Sequence, residues 1–282
     1  MNLVKALFRL VFFWKKSRSV VPVVRLSGVI ASSSQMRRGL SLEAMEPQLK
    51  KAFAIRGAKA VALIINSPGG SPVQSALIGK RVRDLARKAN VPVLAFCEDV
   101  AASGGYWLAA SADEIYANAA SVVGSIGVVS AGFGFDRAIE KLGVDRRVYT
   151  AGTNKMILDP FQAEKDTDVA RLKSLQAEIH QQFIAHVTER RGGKLKGDHD
   201  DLFSGAFWTG ATAVELGLID GLADCRGLVT ERFGDTTDLM TIEPKKRLFG
   251  GFGGLPGMQA GRLVEEAMDV AVERALLARF GL

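Results

Sequence analysis

Two short runs constrain this chain more than anything else in it. AVALIIN at 60–66 and VPVLAF at 91–96 are apolar almost throughout. A strand with one wet face would alternate, so unbroken aliphatic runs this short belong to strands covered on both faces. A turn of small residues follows each: SPGGSP after the first, and AASGG after the second by way of Glu98 and Asp99. Helix-like stretches come next, one from Val73 to Ala89 and one of small residues beginning near Ser103. Strand, turn and helix in repetition predict an α/β fold with a parallel central sheet.

The remaining pattern fits around this centre. VPVVRLSGVI (21–30) reads as a strand ending at a glycine, and Ser41 can cap a helix from Leu42 to about Arg56. EIYANA and VVGSIGVVS read as short strands or turns, residues 134–142 as a helix, and VDRRVYTAG (144–152) as another strand. A long helix of mixed charge is expected from about Ala163 to Arg191, then a small one at ATAVELG before LIDGLAD. A glycine-rich stretch at 250–257 precedes a closing helix from about Gly261 to Phe280. In that helix Leu263, Val264, Ala267, Val270, Ala271, Leu277 and Phe280 would form one buried face. The expected division is a basic segment at 1–20, a main domain at 21–240, and a linker with the closing helix at 241–282.

Charge is uneven. Of a net +7, the first forty residues supply all the excess, with eight basic side chains and no acid before Glu43. A nucleic-acid module spreads its basic residues over a folded face, so nucleic acid is not an expected partner. The segment LVKALFRLVFFW (3–14) is too broken by Lys5 and Arg9 to supply the roughly 20 apolar residues of a membrane span. It also lacks a small-residue cleavage site. Asn2, Lys5, Arg9 and Lys16 fall opposite Leu3, Leu7, Leu10 and Trp14 on a helical wheel, with Phe12 misplaced on the basic side. Residues 1–18 are therefore expected to lie on a membrane surface, with docking on a partner subunit or a frayed terminus as the other options.

Two cysteines and three histidines exclude a disulfide framework and make a metal site unexpected. The chemistry must come from elsewhere. Asn66-Ser67-Pro68-Gly69-Gly70 ends a buried strand, where paired glycines can turn backbone N–H groups toward an oxyanion or a phosphate. An ordinary strand-to-helix turn is the plainer reading, and no P-loop spacing follows. Ala101-Ala102-Ser103-Gly104-Gly105-Tyr106 presents a serine at a second such turn, as a nucleophile elbow does, although a capping serine would look the same. His180 and His186 on the long helix and His199 in KGDHDD read as solvated surface residues, so a histidine base is weakly supported. A lysine base works only where burial lowers its pKa from about 10.4. Lys155, in TAGTNKMIL with apolar residues after it, is the candidate.

Taken in order, LIINSPGG, AASGGYWLA, SVVGSIGVV, YTAGTNKMILDPF and FWTGATAVELGLIDGL resemble the signal peptide peptidase A family, serine peptidase family S49 of the Clp-like clan. The resemblance runs from about Val21 to Asp224. It implies a Clp/crotonase-like spiral α/β core, Ser103 as nucleophile, Lys155 as general base, and the N–H groups of Gly70 and Gly104 as the oxyanion hole. It implies no cofactor, and peptide substrates such as signal-peptide remnants and other hydrophobic peptides of the membrane. Half-length members resemble rings in which one subunit's serine meets its neighbour's lysine, so a homo-oligomer with shared active sites is expected. The family usually carries an N-terminal transmembrane helix, a pattern from which this sequence departs. Here a peripheral place on the bacterial inner membrane is expected instead, its side open and a cytoplasmic place the alternative. Two competing readings are an acyl-CoA enzyme of crotonase type, which would need acids such as Glu98 or Asp99 at its site, and a non-catalytic membrane scaffold.

Overall fold

The computed structural model describes residues 19–32, 39–244 and 256–282, with the side chains of 256–266 left out. The basic segment 1–18 and most of the glycine-rich stretch lie outside the described residues.

The elements in chain order are β1 (Val20–Ser27), α1 (Leu42–Phe53), β2 (Val61–Ser67), α2 (Pro72–Ala89), β3 (Val93–Ala102), α3 (Gly104–Ala110), β4 (Glu114–Ala117), β5 (Val122–Gly124), α4 (Asp136–Lys141), α5 (Asp166–Arg191), α6 (His199–Leu202), β6 (Phe207–Thr209), α7 (Gly210–Glu215), β7 (Gly221–Leu222), α8 (Cys225–Phe233), β8 (Asp238–Thr241) and α9 (Pro256–Ala278). The two constraining runs are the central strands, parallel to each other in the order β6-β5-β3-β2-β1-β8. In β2, Val61, Leu63 and Ile65 face one apolar cluster with helices α1, α2 and α3. Ala62 and Ile64 face a second cluster, closed by Leu228 and Val229 of α8. Both faces of the strand are dry, which is why its sequence does not alternate.

Strand β3 is longer than its apolar run, and along one edge it has two partners. Leu94–Cys97 pair with β4, and Val100–Ala102 pair with β5. Between them, at Glu98 and Asp99, the ladder to β2 shifts register. Two side-chain contacts hold this fork: Arg25 bonds Glu98 at 2.5 Å, and the Asn66 amide donates to Asp99 at 2.8 Å. The Val100 N–H also reaches Asn66 Oδ1 at 3.1 Å. The sheet therefore splits where β3 delivers Ser103.

The helices form for local reasons visible in their ends. Ser41 accepts from Ala44 N–H to start α1, Ser71 does the same for α2 with Pro72 at its first position, and Asn90 ends α2 in the left-handed conformation. Tyr106, wholly buried, donates its hydroxyl to Leu218 O at 2.7 Å and so ties α3 to the loop before β7.

Two expectations fail here. VDRRVYTAG is not a strand: residues 144–150 have no ladder partner, and Val144 and Tyr149 are exposed. A period-2 pattern makes a strand only where an edge receives it, and this stretch belongs to an arm, 128–165, that stands away from the sheet. The arm closes on itself through Phe135 N–H to Pro160 O, the Arg146–Asp159 ion pair and the Phe135–Phe161 ring contact. Val129, Phe133 and Leu142 on it are left in water, Phe133 being 82% exposed. In α9, the residues turned toward the body are Asp269, Glu273, Leu276, Leu277 and Phe280, whereas Ala267, Val270 and Ala271 are exposed. The apolar pattern of this helix is broad enough to offer two stripes, and the body takes the more polar one.

Candidate active site

Ser103 sits between β3 and α3 with φ 52° and ψ −120°, and its side chain makes no capping bond to α3. A non-glycine residue held at positive φ stores about 1–3 kcal/mol that its surroundings must impose. The imposing bonds are backbone ones: Ser103 N–H donates to Gly124 O at 2.8 Å, and Trp107 N–H returns to Ser103 O at 3.0 Å. The capping role that the sequence allowed is thus not the one this serine plays. Its geometry is that of an elbow.

The NSPGG turn packs directly against this elbow. A Cβ on Gly69 would lie 2.8 Å from the Ala102 carbonyl, the Gly104 nitrogen and Ser103 Cβ. A Cβ on Gly70 would lie 2.1 Å from Ile30 O, and one on Gly104 would lie 2.4 Å from Ser75 Oγ and 3.4 Å from the Gly70 nitrogen. Side chains are excluded at all three positions, so the two backbones meet. Ser67 fixes the turn by donating to Gly28 O at 2.7 Å and accepting from Gly69 N–H at 3.2 Å. Ile30 clamps its far side: Ile30 N–H donates to Gly69 O at 2.8 Å and Ser71 N–H to Ile30 O at 2.7 Å. Among the described residues, the N–H groups of Gly70 and Gly104 have no acceptor. Two such donors beside a strained hydroxyl can hold a developing oxyanion without reorganising.

A cleft of about 440 Å³ opens over Ser103. Pro68, Gly70 and Pro72 form one wall, Ser125 and Gly127 to Val129 with Ser204 and Gly205 another, and Leu276, Arg279 and Phe280 of the closing segment a third. Among the described residues no carboxylate lines it. Glu98 and Asp99 are engaged at the fork with Arg25 and Asn66, and the cleft lacks the acids that an acyl-CoA reading requires.

Lys155 is exposed on the arm and is not among the residues lining the Ser103 cleft. Within one chain, then, Ser103, Gly70 and Gly104 come together and Lys155 does not. The histidines also differ from expectation. His186 is half-buried, stacked on Trp107 at 4.7 Å with its Nε2 3.1 Å from Trp107 O. Burial lowers its pKa below 6.5, opposed by that carbonyl. His180 places Nε2 3.0 Å from Ile126 O, and His199 is largely exposed, its ring tilted against Phe203 at 4.7 Å. None lines the cleft. Among the described residues no cluster of His, Cys, Asp or Glu could hold a metal ion.

Sequence reasoning missed Ser125, which lines the cleft at φ 53° and donates its N–H to Ala206 O at 2.7 Å. The glycines on either side of Ser125-Ile126 were its signal. It also missed the closing segment as a cleft wall, for which no local signal exists.

The forked parallel sheet with a strained serine at the end of its longest strand defines a protein of the Clp-like α/β class. Residues 85–233, just over half the chain, match the profile of Peptidase family S49. A Synechocystis sp. protein is 31% identical over 252 residues, covering 85% of this chain and 86% of its own. Protease 4 of Haemophilus influenzae is 32% identical over 209 residues, 71% of this chain and 32% of that protein. The Na(+)/H(+) antiporter NhaA of Brucella abortus is 53% identical over 272 residues, 93% of this chain, and the chain spans only 37% of that antiporter's length. Among solved structures, a mutant of the 1510-N membrane-bound stomatin-specific protease shares the fold, with a TM-score of 0.52 and 14% identity over 81% of this chain and 100% of its own. The chain belongs to peptidase family S49, the serine peptidases.

Proposed function

We propose that this chain is an endopeptidase working through a Ser-Lys dyad completed between two copies. Ser103 attacks the carbonyl carbon of a peptide, and Lys155 of a second copy, neutral when covered by that interface, takes the hydroxyl proton. The tetrahedral oxyanion is held by the Gly70 and Gly104 N–H groups. The charged lysine then protonates the leaving amine, and water releases the acyl group by the reverse sequence. One such donor contributes about 3–4 kcal/mol to the barrier reduction.

One observation carries this reading: the elbow and both free N–H groups are assembled within the chain, while Lys155 sits on an exposed arm rich in unburied apolar side chains. Exposed apolar surface of this kind marks an interface. A second copy whose arm crosses to this cleft would bury the arm and deliver the base in one step. Substrates are hydrophobic peptides released at membranes, signal-peptide remnants among them, and the basic segment 1–18 holds the assembly at a membrane surface. In support, the Brucella relative carries the matching stretch inside a chain named for an antiporter. Among the described residues no helix is long and apolar enough to cross a membrane.

The test is complementation. Ser103→Ala and Lys155→Ala are each inactive alone; co-assembled at equal amounts, they regain about one quarter of wild-type activity, because that share of head-to-tail junctions joins an intact serine to an intact lysine. No recovery in proven mixed assemblies would defeat the shared dyad.

A further inference from the structure

The Ser103 cleft has one wall whose chemistry differs from the rest. Its other linings are glycine, proline, serine and valine, and among the described residues around it the one charged side chain is Arg279. Arg279 forms no ion pair among the described residues and is exposed toward the cleft's mouth. Its guanidinium lies 6.0 Å from the Phe280 ring centroid.

This arginine is placed by the same scaffold that places Ser103. Phe280 meets Phe207 edge-on at 5.1 Å. Phe207 belongs to β6, which pairs antiparallel with β5. β5 in turn pairs with Ala101 and Ala102, the two residues before the serine. At its earlier turn α9 is near the end of β1, where Glu273 Oε1 would be 3.4 Å from a Cβ on Gly28. The helix thus passes between the end of β1 and β6, and just beyond its last residue, Ala278, Arg279 lines the cleft over Ser103 that a bound peptide must occupy.

We propose that Arg279 is a specificity-determining residue that reads a carboxylate close to the scissile bond. The proposal rests on Ser103 being the nucleophile of a peptidase. A guanidinium with no carboxylate partner among the described residues, in a cleft whose other described lining side chains from this chain are uncharged, favours an anionic group and disfavours a cationic one. Two sources can supply that group: an acidic side chain of the peptide, or the free α-carboxylate of a peptide already cut elsewhere. In the second case the enzyme follows an earlier peptide-bond hydrolysis that creates the terminus it recognises.

The experiment uses the full assembled protein and three fluorogenic peptides of one sequence: a glutamine peptide with an amide end, its glutamate counterpart, and the glutamine peptide with a free acid end. The expected result is a kcat/KM ratio on the order of tenfold in favour of one carboxylate-bearing peptide over the neutral one, the favoured peptide naming the source. In Arg279→Gln the ratio falls to near one, and in Arg279→Glu it falls below one, the neutral peptide becoming preferred. Equal cleavage of all three peptides by wild type, or a ratio kept in Arg279→Gln, overturns the proposal. Labelling of wild-type Ser103 by a neutral fluorophosphonate separates the failures. A labelled enzyme with a ratio of one refutes Arg279 alone, whereas an unlabelled one refutes the peptidase reading and this proposal with it.

Discussion

Substituting Gly70 by alanine attacks the proposed oxyanion donor without touching the nucleophile. The new methyl carbon would stand 2.1 Å from Ile30 O, and φ at this position is +141°. A carbon does not approach a carbonyl oxygen closer than about 3.0 Å, so the Gly70 turn and the segment after β1 must part by about 1 Å, a shift sufficient to cost on the order of 10²-fold in rate. Ile30 cannot yield by itself, since its N–H and carbonyl are bonded to Gly69 and Ser71 at 2.8 and 2.7 Å. The Gly70 N–H therefore moves with the turn. Adding the backbone strain, Gly70→Ala is expected to lose about 2–3 kcal/mol of stability. It should also lose a factor of about 10² to 10³ in kcat/KM toward a peptide. Gly57→Ala is the control, with φ +77° and nothing within 4 Å of the added carbon. It carries a strain cost of about 1 kcal/mol and leaves catalysis alone. Urea denaturation and peptide hydrolysis, each measured well below the melting temperature, separate the two effects. A folded Gly70→Ala enzyme within about threefold of wild-type activity would refute the placement of the donor.

Other outcomes follow from the same geometry. Ser103→Gly should be more stable than Ser103→Ala by about 1 kcal/mol, because glycine relieves the strain at φ 52° and loses part of that gain to chain entropy; equal melting temperatures would mean that the turn is unstrained. Tyr106→Phe leaves the buried Leu218 carbonyl without its donor and should cost about 1–3 kcal/mol by denaturant unfolding. Burial pushes the Cys97 thiol up to about 12 and, with Asp224 adding to the effect, the Cys225 thiol to about 11. At about pH 8 both should therefore react with a maleimide at least ~100-fold more slowly in the folded protein than after unfolding. Folded His186 has its pKa held below 6.5 by burial, so the unfolded chain binds the proton first. Its stability is then unaffected above that pH and falls as pH drops through 6.5 toward the folded value, and His186→Gln should flatten that slope in pH-dependent melting.

What could be read in advance was what the chain encodes locally. The two dry strands announced themselves because both faces are buried within the same molecule, and Ser41 and the paired glycines are signals confined to a few residues. The elbow was legible as a motif, but its strain was not, since the bond from Ser103 N–H to Gly124 O depends on β5, about twenty residues on, pairing with β3 beyond the fork. His186 was misread as solvated because its stacking partner, Trp107, is distant in sequence. Lys155 shows the opposite limit. The apolar residues beside it suggested burial, yet within one chain Lys155, Ile157 and Leu158 stay exposed and only Met156 is partly covered. The closing helix offered two stripes, and only packing against Gly28 and Phe207 decides between them.

The most direct measurement is covalent labelling of wild type, Ser103→Ala and Lys155→Ala with a fluorophosphonate, followed by peptide mass spectrometry of the modified residue. The account predicts one adduct in the wild type, on Ser103, none in Ser103→Ala, and labelling slowed by at least ~10²-fold in Lys155→Ala. An assembled, folded wild type that takes no label, or takes it on another serine, would contradict it.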